Sequence, residues 1–205
     1  MDWSHSFRLA APEELLTVAA LVLLLVSAWS RGEGAARLVT WLAAGAIAAA
    51  GVISAMDLCA GAAGPGTLAF SGLFTANALA GFAKVLIAFA AISTLLVAPQ
   101  YFGRYAAYRS EYPVLVVLAV LGMGLMVSAT NFMTLYIGLE LNSLASYVLA
   151  AFLKNDDRSA EAGLKYFVLG SLASGMLLFG ISLVYGFTGG IDFVAVAQAL
   201  KGGIP

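Results

Sequence analysis

A chain of 205 residues that is 62% hydrophobic and only 10% charged, with a mean hydropathy of +0.96, lies far from the roughly 25% charged residues of a soluble domain and reads as a membrane protein. Its 10 Lys and Arg against 11 Asp and Glu leave a net charge of −1, so there is no basic excess for a phosphate backbone and nucleic acid is excluded as a partner. One cysteine, Cys59, and one histidine, His5, rule out an intrachain disulfide framework and leave almost nothing to ligate zinc, haem or an iron–sulfur cluster.

A membrane-spanning helix needs about 20 mostly apolar residues. Stretches of that kind are predicted at 13–30, 37–56, 75–98, 113–130, 132–153 and 160–186. The expected fold is therefore all-α, a polytopic membrane helical bundle of about six transmembrane helices in one domain over 1–205, with an outer-face tail from 187. The first span opens at Ala11-Pro12-Glu13-Glu14, where proline suits a helix start and the acids meet the positive end of the dipole. That acidic flank argues against a secretory signal. Gly61 to Gly66 is a turn-rich loop without phosphate-cradle spacing. Asp192 to Leu200 is amphipathic and is predicted as a surface helix.

Positive charge is retained on the cytoplasmic side of short loops. Arg31 and Arg37, Arg104 and Arg109, and Lys154 and Arg158 occupy alternate loops, whereas the opposite side receives only Arg8 and Lys201. Both termini are thus predicted on the outer, periplasmic side.

Ionisable groups at bilayer depth are costly, at least about 2.5–3.5 kcal/mol on insertion scales, and each is a site hypothesis. Glu140 lies roughly 20 Å from the cytoplasmic end of the fifth span at 1.5 Å per residue, too deep to snorkel. Tyr136, Glu140, Ser143 and Tyr147 follow one helical stripe, and Asn142 and Ser146 make a second. A helix polar on two faces is expected to be largely enclosed by protein. Glu140 reads either as a proton-relay carboxyl or as a helix–helix hydrogen-bond donor. Lys165, about 8 Å inside the sixth span, is either a buried relay group or a snorkelling lysine, and sits about 12 Å along the membrane normal from Glu140, beyond direct contact. Lys84 is expected to be buried if the third helix begins near Thr75 and interfacial if it begins at Leu79. Gly170/Ser174 and Ser171/Gly175 allow close helix approach and read as packing. Trp3, Tyr101, Tyr108 and Tyr112 read as anchoring or core filling. No Ser/His/Asp or Cys/His constellation can be assembled for nucleophilic catalysis.

The segment Leu135 to Phe187, LYIGLELNSLASYVLAAFLKNDDRSAEAGLKYFVLGSLASGMLLFGISLVYGF, resembles the subunit N family of the proton-translocating NADH–quinone oxidoreductase, respiratory complex I, in its bacterial form. Ala11-Pro12-Glu13 and Phe82-Ala83-Lys84-Val85 also fit. The resemblance implies an antiporter-like fold with inverted repeats, incomplete here at the C-terminus, and a place in the bacterial cell inner membrane. It assigns Glu140 to the family's membrane-embedded glutamate, Lys165 to the lysine of its Glu-Ala-Gly-Leu-Lys-Tyr segment, and Lys84 to a lysine of the third span. The implied activity is proton translocation coupled to electron transfer from NADH to quinone. No cofactor is expected in this chain; NADH, FMN, iron–sulfur clusters and quinone are expected on partner subunits of the same complex. With no basic residue at its own depth, Glu140 is expected to stay neutral, so the chain is expected to be a partial product or to work beside chains that bring further lysines. A subunit of a multi-subunit cation/proton antiporter is the alternative, and a structural protein whose polar groups only join helices is a third reading.

Overall fold

The structure is a computed structural model that describes residues 3–29, 32–59, 67–103 and 108–202. Arg31, Arg104, the Gly61 to Gly66 loop and the last three residues lie outside the described residues.

Helices dominate, in the order α1 (Trp3–Leu9), α2 (Ala11–Trp29), α3 (Glu33–Cys59), α4 (Ala78–Gly103), α5 (Glu111–Val127), α6 (Phe132–Ala150), α7 (Asp157–Thr188) and α8 (Phe193–Lys201). Five of them, α2, α3, α4, α6 and α7, are long and apolar enough to cross a membrane. Helix α5, with 17 residues, sits at the short end of the range for a span. It is also the most enclosed. It packs against α2, α3, α4 and α6, and Val114, Val117, Val120 and Leu121 enter the core with Leu16, Val39, Ile47 and Leu95. Helices α6 and α7 lie outside this unit, with α6 on α5 and α7 on α6.

Local chemistry sets the helix ends. The Asn77 side chain accepts from the Ala80 N–H at 2.7 Å, and Asn131 accepts from the Thr134 N–H at 2.8 Å, each satisfying a donor with no partner in the first turn. Gly189, at φ +70°, ends α7 in the left-handed region, which only glycine adopts freely.

Between α3 and α4, β1 (Thr67–Ala69) pairs antiparallel with β2 (Phe74–Ala76), matching Thr67 to Ala76 and Ala69 to Phe74. The third helix was expected from residue 75, but Thr75 and Ala76 are strand residues and α4 starts at Ala78. Thr75 donates its N–H to Ser128 O at 2.8 Å, so its backbone is held by the α5–α6 turn instead of a helical turn. That turn is fastened again by bridges Phe74 to Ala129 and Asn131 to Asp192, with Phe132 N–H donating to Ile191 O and Phe193 N–H to Thr130 O, both at 3.1 Å. One end of the bundle is therefore tied by backbone hydrogen bonds. The opposite end is closed by rings: Phe102 lies 4.9 Å from Tyr112 and 5.3 Å from Phe152, centroid to centroid.

Candidate functional site

Helix α6 presents three faces. Gly138 lets its backbone meet α5 so closely that a Cβ there would lie 2.8 Å from Gly122 O, and Asn142 lies on the same side, its backbone N 2.6 Å from where a Gly122 Cβ would stand. The stripe of Tyr136, Glu140 and Tyr147 turns to α7. Tyr147 packs edge-on to Tyr166 at 4.8 Å and fills the space where Gly170 has no side chain. The third face, Met133, Ile137, Leu144 and Val148, is exposed and apolar. The expectation that α6 is largely enclosed is corrected accordingly: its two polar faces are covered by different helices, and the apolar face that remains needs no polar partner.

Glu140 is half-buried between α6 and α7. The Ser174 hydroxyl donates to Glu140 Oε1, and the Tyr136 hydroxyl lies 2.9 Å from Ser174 Oγ. Each hydroxyl can donate and accept, so Tyr136, Ser174 and Glu140 form a chain along which a proton can pass by reversal of successive hydrogen bonds. Among the described residues no lysine or arginine forms an ion pair with Glu140. Ser174, read in the sequence as a packing residue with Gly170, is instead the partner of the carboxyl. Gly170 of that pair admits the Tyr147 ring, whereas the second expected pair, Ser171 and Gly175, is exposed and brings no helix close: nothing lies within 4 Å of a Cβ at Gly175. An i, i+4 small-residue spacing cannot separate the two roles, because a serine hydroxyl serves both.

Lys84 is on the other side of α5. Its Nζ lies 2.6 Å from Glu13 Oε1, with the two side chains 10% and 7% exposed, and 4.8 Å from the centre of the Phe74 ring. The helix start at Ala78 would have made it interfacial by depth alone. It is buried beside Glu13, which supplies the counter-charge that offsets part of the cost of enclosing an ammonium. Glu13 itself was read as an acid favouring a helix start, and nothing local in the sequence distinguishes that role from pairing. Gly124 of α5 makes room for it: a Cβ there would stand 3.2 Å from Glu13 Oε1.

Lys165 is not drawn into either arrangement. It is exposed on α7 and pairs with Glu161 one turn earlier. The three predicted residues thus occupy three separate places. Among the described residues no group of three or more His, Cys, Asp or Glu could hold a metal ion.

The same arrangement of helices occurs in known membrane complexes. Residues 129–204 match the family described as NADH:quinone oxidoreductase/Mrp antiporter, TM. NADH-quinone oxidoreductase subunit N of Erythrobacter litoralis (strain HTCC2594) is 57% identical over 98% of this chain and 41% of its own length. Nearly the whole of this chain is thus similar in sequence to a part of a subunit N. The Rhizorhabdus wittichii subunit N is 52% identical over all of this chain and 41% of its own, so the chain spans about two fifths of these relatives. The structure of respiratory complex I from Thermus thermophilus with bound aureothin contains a chain that superposes with a TM-score of 0.70 at 27% identity, over 93% of this chain and 41% of that one. A chain of the membrane-bound sulfane sulfur reductase, an archaeal respiratory membrane complex, superposes at 0.75 over 93% of this chain and 39% of its own, and at 20% identity shares the fold. The stretch similar to that subunit includes both the Glu13–Lys84 pair and the Glu140 stripe.

Proposed function

We propose that this chain forms part of a subunit in the proton-translocating membrane arm of an NADH-quinone oxidoreductase. The observation that carries the reading is a carboxyl, Glu140, held between two membrane helices by a hydroxyl pair, in a chain 57% identical to a subunit N. In this reading Glu140 takes and releases the proton, Ser174 and Tyr136 pass it on, and Lys84 and Lys165 are the positive charges of the path. The chain contributes no redox centre. NADH, FMN, iron–sulfur clusters and quinone belong to partner subunits, and the exposed faces of α6 and α7 meet lipid or those partners. The bundle lies in the bacterial inner membrane with the strand-bearing end and both termini on the periplasmic side, the orientation that leaves Arg37, Arg109, Lys154 and Arg158 cytoplasmic.

The test is Glu140→Gln in the complete complex, reconstituted in sealed vesicles. Proton uptake linked to NADH oxidation is expected to fall while the complex still assembles. Full uptake by that variant rejects the assigned role and favours a carboxyl that only joins helices. A second reading, a subunit of a multi-subunit cation/proton antiporter, is favoured by the matched family itself, whose description names both kinds of protein. Sodium-dependent proton movement without NADH would support it.

A further inference from the structure

Glu13 and Lys84 are held on the face of α5 that Gly124 opens, whereas Gly122 opens toward α6. The ion pair is thus separated from Glu140 by the body of a helix. We propose that this pair is a second proton-binding site, reached by water from the strand-bearing end of the bundle through a short polar passage past Ser54, Asn77 and Asp57. The proposal rests on the reading of the chain as a proton-translocating subunit and adds to it a carboxyl, Glu13, and a route.

Three observations carry it. Glu13 offers one oxygen to Lys84, while its Oε2, and Oε1 of the neighbouring Glu14, are buried without a hydrogen-bond partner among the described residues. Buried polar atoms of that kind are normally satisfied by water when protein does not reach them. Next to the pair is a cavity of about 20 Å³ lined by Glu13, Lys84 and Ser54 among apolar neighbours, enough for about one water molecule. A second cavity of about 20 Å³ shares Pro12, Ser54 and Lys84 with the first and adds Asp57 and Asn77. Asp57 lies in the last turn of α3 and Asn77 immediately precedes α4, so this second cavity points to the end where β1 and β2 lie. Lys84 is six residues into α4, about 9 Å from its start, a distance that two successive waters can bridge with one of them donating to the Ser54 hydroxyl, whose own hydrogen goes to Ala50 O at 3.0 Å.

The titratable groups around the pair are Glu14, next to Glu13 on α2, and Asp57 on α3; the Phe74 ring faces Lys84, and α5 offers only Val120 and Gly124 to the cavity. A proton arriving along the passage adds to the Glu13 carboxylate and forms the acid. The pair then passes from neutral to singly positive, and the Lys84 ammonium is left with an uncharged carboxyl oxygen, the ring face and water, weaker partners than a carboxylate. Departure of the proton restores the ion pair. One carboxyl can in this way set the charge on that side of α5.

Infrared difference spectra of the complete complex in proteoliposomes, recorded between two pH values without NADH, read protonated carboxyls directly. Glu13→Gln is expected to abolish one carboxyl band that Glu140→Gln retains, and in wild type that band should shift when H₂O is exchanged for D₂O. A Glu13→Gln complex that keeps every band overturns the proposal, as does a Glu13 band that D₂O leaves in place. Should Glu13→Gln fail to assemble, the double variant Glu13→Gln/Lys84→Met, which leaves no unpaired charge, carries the same readout. Full NADH-linked proton translocation by that double variant would show that the pair serves packing alone and would also overturn the proposal. Because the spectra need no turnover, loss of the Glu13 band and loss of pumping in Glu140→Gln succeed or fail separately.

Discussion

Gly122→Ala is expected to part α5 from α6. The added methyl would stand 2.6 Å from Asn142 N and 2.7 Å from Gly138 O, both backbone atoms that cannot swing aside as a side-chain tip can. An ordinary contact begins at 3.4 Å, so the helices must separate locally by about 0.8 Å or the backbone must bend. Overpacking of this size costs about 1–3 kcal/mol. Glu140 is two residues beyond Gly138, so the shift reaches the carboxyl as well as the interface. Gly45→Ala is the matched control: it lies on the exposed side of α3 with no atom within 4 Å of a new Cβ, and alanine gains helix propensity of roughly 0.5–1 kcal/mol over glycine. Thermal unfolding of the detergent-solubilised protein should therefore show a lower midpoint for Gly122→Ala and an equal or higher one for Gly45→Ala. Proton translocation by the complete complex should fall only in the former. Equal midpoints for the two variants would refute the idea that the glycine contact fixes the spacing of α5 and α6.

Lys84→Met removes one partner of an enclosed ion pair and is expected to destabilise the fold by about 3–5 kcal/mol, whereas Glu13→Gln/Lys84→Met should recover most of that, because neutralising both partners leaves no stranded charge; chemical denaturation of the two variants checks this. Ser174→Ala should cost about 1–2 kcal/mol and lower proton translocation, since Glu140 loses its donor, while Tyr136→Phe, which removes only the outer link of the chain, should lower translocation less. Lys165→Met should leave the thermal midpoint nearly unmoved, because an exposed pair one turn apart is worth only about 0.3–0.5 kcal/mol; translocation measured on the same preparation then reports a role in the path separately from stability.

The helices were legible in the sequence because a span imposes a length on its apolar run, and the amphipathic stretch from Asp192 to Leu200 corresponds to α8 for the same kind of reason. Two short strands of three residues each left no comparable trace, nor did α1 with its seven. Glu140 could be singled out because a carboxyl in mid-span is costly enough to need a reason, whether relay or helix–helix hydrogen bond. Glu13 could not: an acid in the first turn of a helix is common, and its partner Lys84 is brought beside it only by the packing of α2 and α4 against α3 and α5. Ser174 was legible as a small residue and illegible as a donor, since the stripe on α6 does not say which turn of α7 will face it. Depth in the membrane, estimated from helix starts, left Lys84 undecided between buried and interfacial, because enclosure depends on a counter-charge as much as on distance from water.

The unequal fastening of the two ends has a mechanical corollary. Where Thr75, Ser128, Thr130, Phe132, Ile191 and Phe193 exchange main-chain hydrogen bonds, helices α4, α5, α6, α7 and α8 share one anchor, and bonds of fixed length give it little slack. Where Phe102, Tyr112 and Phe152 meet, ring edges can slide over one another without breaking a bond. A tilt of α4 against α5 would therefore swing about the anchored end like a door about its hinge post, opening widest at the aromatic side and least near the mouth of the passage to Lys84.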